Sequence, residues 1–193
     1  MKRIWLLLPL LMLLTPHFAQ ADSIAINFES LTDFDSVINQ FAGLVFSNAT
    51  VLTAGTSLNE LEFPPHSGTN VIFDDGGAIS ITFAQAVNSV GGFFNYVGPL
   101  TLQAFDAAHA PVGSVSSAFN SNLALSGDAG SSANEFLSFA SAGGFTSITI
   151  TGSSGGGSFT LDDLTYTVPA PASLGLLALG IGLLFFRRQR AIS

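Results

Sequence analysis

The residues of this chain that can do chemistry are mostly carboxylates. All 13 Asp and Glu lie between Asp22 and Asp163, whereas the five basic residues, Lys2, Arg3, Arg187, Arg188 and Arg190, lie outside that stretch. The central segment therefore carries a formal charge of −13, from 13 acids and no Lys or Arg, against −8 for the whole chain. A carboxylate without an ammonium or guanidinium partner must be hydrated, hydrogen-bonded to backbone, or neutralised by a metal ion. The pair Asp162-Asp163 sharpens that choice, because adjacent carboxylates with no basic neighbour repel and modestly favour a cation. The same charge excludes nucleic acid as a partner, since nothing in the segment neutralises phosphates.

Signals for catalysis are sparse. Beyond residue 21 the histidines are His66, after Pro64-Pro65, and His109, before Ala110-Pro111, and both read as solvated loop residues. The chain has no Cys and no H-E-x-x-H. Glu29, Glu60, Glu62 and Glu135 are available for two-carboxylate glycoside hydrolysis, but no spacing sets any two of them together. A ligand platform is one reading of Phe93, Phe94 and Tyr96. Alternation puts Phe94 and Tyr96 on one face, although a core role for them is favoured.

Strands must position these residues. Period-two alternation recurs in Ile79–Phe83, Leu100–Phe105, Ile148–Thr151 and Phe159–Asp162. Turn formers separate these runs at Asp74-Asp75-Gly76-Gly77, Asp106–Pro111 and Gly152–Gly157. The first of these reads as a hairpin turn. Around ten short strands predict an all-β domain over 22–167, an antiparallel β-sandwich of jelly-roll type, with most of the 18 Phe filling the space between sheets. The patches Ser116–Ser132 and Ser153–Ser158 read as loops.

Both ends are addresses. Lys2-Arg3, the apolar run Ile4–Leu14 and the small residues Ala19 and Ala21 form a signal peptide over 1–21, with signal peptidase cutting after Ala21. At the other end Val168-Pro169-Ala170-Pro171 precedes fifteen uncharged residues, 172–186, followed by Arg187, Arg188 and Arg190. Fifteen residues make a short transmembrane helix, and the arginines would stay on its cytoplasmic side.

Proline motif, short apolar helix and arginine cluster in that order resemble the PEP-CTERM sorting signal, with Ala170 standing where the usual signal has Glu. The resemblance implies processing by an exosortase, a transient inner-membrane anchor over 168–193, and delivery to the cell surface or extracellular space of a bacterium that makes exopolysaccharide.

The central domain, through Ile26-Asn27-Phe28-Glu29, Phe41–Phe46, Leu102–Asp106 and Phe159–Tyr166, resembles galactose-binding-like sandwiches and carbohydrate-binding modules. That resemblance implies first and last strands side by side, with a structural calcium near their ends held by Glu29 on the first strand and Asp162 or Asp163 on the last. It would clamp the fold rather than catalyse. The combined expectation is a non-catalytic exported protein with a structural or interaction role in exopolysaccharide. The alternatives are a secreted glycan-active enzyme and a permanently anchored surface protein.

Overall fold

The computed structural model describes residues 22–169. The signal-peptide residues Ala19 and Ala21 and the tail from Ala170, with its apolar segment 172–186 and Arg187, Arg188 and Arg190, lie outside the described residues. Ten strands form: β1 (Asp22–Ile26), β2 (Leu44–Ser47), β3 (Ala49–Thr53), β4 (Asn70–Asp74), β5 (Ile79–Val97), β6 (Thr101–Phe105), β7 (Pro111–Ser116), β8 (Ser121–Asn122), β9 (Glu135–Thr151) and β10 (Phe159–Val168). Their order is β3-β4-β10-β5-β9-β6-β7, with β1 added to β10, and β2 and β8 to β5. Every pairing between these strands is antiparallel. No helix among the described residues is long and apolar enough to cross a membrane.

The expected antiparallel sandwich is built, but two of its strands are not short. β5 runs for 19 residues and β9 for 17. The first part of β5, Ile79–Thr82, lies between β2 and the end of β9; the second part, Ser89–Phe94, lies between β10 and the start of β9. Register shifts between Thr82 and Ser89 separate the two parts. Extra residues in one strand bend it and increase its twist, so a single strand can turn a corner and serve both layers. The break in alternation at Ala84-Gln85-Ala86, which reads as the end of a strand, is this corner.

Alternate residues of both layers meet in one core, including Ile79, Ile81, Ile148 and Leu102 from one and Ile72, Val90, Phe94 and Leu161 from the other. Burial of each such side chain stabilises the fold by about 1.5–3 kcal/mol. Phe28, Phe41 and Phe46 pack edge to face at centroid distances of 5.7–6.4 Å, the geometry that ring quadrupoles prefer.

Asp74-Asp75-Gly76-Gly77 is not a hairpin turn, because β4 pairs with β3 and β10 and makes no ladder with β5. It carries the chain from one layer to the other. Asp74 is fully buried there and accepts hydrogen bonds from Ser158 N (2.7 Å), Phe159 N (2.9 Å) and Ser158 Oγ (2.7 Å), tying the end of β4 to the start of β10.

Candidate functional site

Residues directly opposite in antiparallel strands share a face. Asp162 of β10 is opposite Phe93 of β5, and Phe93 is opposite Phe136 of β9. These three therefore lie on the outer face of the sheet, turned away from Leu161, Phe94 and the core. The register of β10 shifts between Asp162 and Thr165, and Asp163 takes the left-handed φ of 46°. This bulge brings both carboxylates of the Asp pair to one loop.

That loop is the connection between β3 and β4. Asn95 Nδ2 donates to Pro64 O (2.9 Å), and His66 N and Ser67 N donate to Asp162 Oδ2 at 2.8 and 2.9 Å. Asp163 N donates to Asp162 Oδ1 (2.7 Å), so the Asp162 carboxylate accepts three backbone donors. Asp163 accepts from Ser67 Oγ (2.9 Å) and pairs with His66 Nδ1 (2.6 Å). With the carboxylate accepting, Nδ1 carries a proton, leaving Nε2 as acceptor on the neutral ring or second donor on the charged one.

The His66 ring is thereby laid flat on Phe93, with centroids 3.4 Å apart and planes within 6°. Phe136 tilts against Phe93 at 5.0 Å and 52°. Its ring rests over Gly91, where an added Cβ would come within 2.7 Å of Phe136 Cζ. Phe136 remains 49% exposed and the His66 side chain 38%. The result is an outward aromatic cluster rimmed by a carboxylate. Asp162, beneath the loop, is only 2% exposed. Burial pushes its carboxyl up to about 6; the charge of Asp163 adds to the rise, and the three backbone donors oppose it.

The residues singled out in the sequence are redistributed. Phe94 and Tyr96 are 1% and 0% exposed, so they are core and offer no platform. The sheet's alternation assigns the outer face to Phe93, between them in sequence. Burial pushes the Tyr96 hydroxyl up to about 12, helped by its hydrogen bond to Glu135. Glu29 lies beyond the end of β1 rather than on it. It receives Thr69 N (3.0 Å), Asn70 N (2.8 Å) and Thr69 Oγ1 (3.2 Å), latching the far end of the same β3–β4 loop.

Glu29, Asp162 and Asp163 thus face the positive ends of N–H and O–H dipoles, the opposite of an oxygen cage opened to a hard cation. Among the described residues no group of three or more His, Asp or Glu is placed to hold a metal ion. These residues do not fit a calcium shell.

Of the other available glutamates, Glu60 is exposed at the surface, whereas Glu62 and Glu135 are engaged. Glu62 accepts from Leu125 N and Ser126 N, and Glu135 from Ala118 N and Tyr96 Oη, so each secures a different loop. His109 stacks on Phe105 at 4.6 Å, away from His66 in the fold. Gly152-Ser153-Ser154-Gly155-Gly156 has the spacing G-x-S-x-G. It joins strand β9 to strand β10, whereas a nucleophile elbow leads from a strand into a helix.

Sequence reasoning missed the His66–Phe93–Phe136 cluster. The proline pair before His66 signals a turn, but nothing local shows which strand that turn crosses.

Several solved structures are similar in fold. The K2 cleaved adhesin domain of Lys-gingipain covers 76% of this chain and 100% of its own, at 12% identity and a TM-score of 0.48. A DUF4465 family protein from Bacteroides caccae covers 75% and 98%, at 12% identity and 0.48. A family 29 carbohydrate-binding module covers 80% and 98%, at 13% identity and 0.39. A comparison with curated proteins returns no match. Residues 167–190 match the PEP-CTERM protein-sorting motif, so the chain carries the signal of an exported protein that is anchored in the membrane until an exosortase cleaves it.

Proposed function

We propose that this chain is a non-catalytic exported protein. Its sandwich is released by exosortase cleavage to the cell surface or extracellular matrix, where it has a structural or interaction role with exopolysaccharide. The observation that carries the reading is where the sorting motif begins. Val168 is both the last residue of β10 and the second residue of the matched segment, and its partner across the ladder is Asp22, the first residue of β1. Cuts after Ala21 and near Val168–Pro171 would therefore both fall at the outer end of one strand pair. The β1–β10 ladder survives both, so the released product keeps its strands. The use of Glu29, Glu62, Glu135, Asp74 and Asp162 as loop latches supports a non-catalytic role, since each carboxylate is committed to backbone donors.

The test is the intact mass of the protein from membranes and from medium, together with its fractionation on exopolysaccharide. A mass ending between Val168 and Pro171, outside the inner membrane and co-sedimenting with polysaccharide, is expected. A mass that keeps Arg187–Ser193, found only in membranes, would mean a permanently anchored protein. Liberation of reducing ends from the polysaccharide by the purified product would establish an enzyme instead.

A further inference from the structure

We infer that the outer face around Phe136 is a binding site for a neutral glycan, with His66 and Phe136 as the stacking surfaces. This rests on the reading that the domain meets polysaccharide, and it specifies the site and the ligand class.

Three observations carry it. The first is the aromatic arrangement. Phe136 is half exposed although it belongs to a sheet whose other large rings are mostly buried, and it is held in place by Phe93 and the bare backbone of Gly91. A ring fixed from beneath and open above offers a rigid apolar surface at little cost in side-chain entropy, which suits the C–H face of a pyranose. The His66 ring is fixed in the same way, by its stack on Phe93 and its bond to Asp163.

The second observation is the surface next to the rings. The adjacent cross-strand row is Thr165, Gly91 and Ser138, and Ser89 and Thr167 follow beyond it. Each side chain in this strip is small and carries at most a hydroxyl. The strip continues the aromatic surface without a steric barrier, as a chain of linked sugar rings requires. His66 Nε2 has no hydrogen-bond partner among the described residues, and carboxylate oxygens of Asp163 keep unused lone pairs, so both can meet sugar hydroxyls.

The third is charge. The segment has no Lys or Arg, and Asp163 stands at the rim. A uronate or sulfate group there would be repelled and would find no guanidinium or ammonium partner. The ligand that fits is uncharged.

The experiment uses the released protein and the producing cell's own exopolysaccharide, split by anion exchange into neutral and acidic fractions. Binding is read by affinity electrophoresis in gels containing each fraction. The neutral fraction should retard the protein. Phe136→Ala and His66→Ala should each weaken that retardation about tenfold or more, whereas Phe34→Ala, exposed elsewhere, should leave it unchanged. Circular dichroism and melting of each variant establish that it is folded. Retardation by the acidic fraction alone, or undiminished neutral binding by folded Phe136→Ala, overturns the site and leaves the matrix role standing. If the wild type sediments as an oligomer that Phe136→Ala dissociates, the patch is an interface between copies and the glycan site is overturned. No binding to either fraction overturns both.

Discussion

Asp162 accepts three backbone N–H groups, yet burial still leaves its carboxyl at about 6 rather than the ordinary 3.8. The folded state therefore binds this proton more tightly than the unfolded chain. Its stabilising contribution is complete below about pH 4 and is lost as pH rises to about 6, a change of about 3 kcal/mol for a shift of this size. Asp162→Asn cannot titrate, so the melting temperature of wild type minus that of the variant should fall over this interval and level off above it; a flat difference would refute the assignment. Asp74 is tested by removing its carboxylate. Its side chain is the partner of Ser158 N, Ser158 Oγ and Phe159 N in a fully buried site. Asp74→Ala strands those donors, at about 1–3 kcal/mol each, and urea unfolding should show a loss of about 3 kcal/mol or more. A loss under about 1 kcal/mol would mean that water replaces the carboxylate. Both acids illustrate one rule: where the chain supplies no cation, its backbone supplies the donors.

Strand pairing decides what those residues can do together. The alternation in Ile79–Phe83, Ile148–Thr151 and Phe159–Asp162 makes the sheet legible from sequence, because period two survives wherever one face is buried. The corner at Ala84–Asn88 is not legible in the same way, since a bulge and a strand end both appear as broken alternation. The candidate site is less legible still. Asp162 and the Ser67 amide that it accepts are 95 residues apart, and Phe93 meets Phe136 only through the β5–β9 register. The sequence pattern identifies Asp162 as facing away from Leu161 but cannot show that a loop covers it. Gly91 allows a test of the element's role. A methyl group there would be 2.7 Å from the Phe136 ring, 3.0 Å from Ser138 Cβ and 3.1 Å from Leu137 O. Phe136 has free solvent on its outer side, so Gly91→Ala should tilt the ring outward, with the strand giving slightly at Leu137, at a cost of about 1–3 kcal/mol. The protein should keep its fold while neutral-glycan binding falls. Unchanged binding with an intact fold would show that the ring position does not matter.

At the scale of the whole molecule, the balance is between self-repulsion and hydrogen bonding. The segment from Asp22 to Thr167 carries −13 with no internal Lys or Arg to offset it, and the His66–Asp163 contact adds an ion pair only when the His66 ring is protonated. Like charges spread over one small domain raise the energy of its compact state, and dissolved salt lowers that energy by screening. Melting temperature should therefore rise by a few degrees between about 0.01 and 0.5 M sodium chloride, because the Debye length falls from about 30 Å to below 8 Å. Calcium should add nothing specific. Glu29, Asp162 and Asp163 already accept N–H and O–H donors of the β3–β4 loop, and a cation entering there would compete with those bonds. At about 0.1 mM, calcium contributes negligible screening, so neither this addition nor a chelator should move the melting temperature in low-salt buffer. A rise with trace calcium, reversed by chelator and absent in Glu29→Gln, would mean that the loop latches open to admit an ion. Matching rises at equal ionic strength for sodium and potassium chlorides, with no response to trace calcium, would mean that this polyanion is held together by its backbone donors and its core.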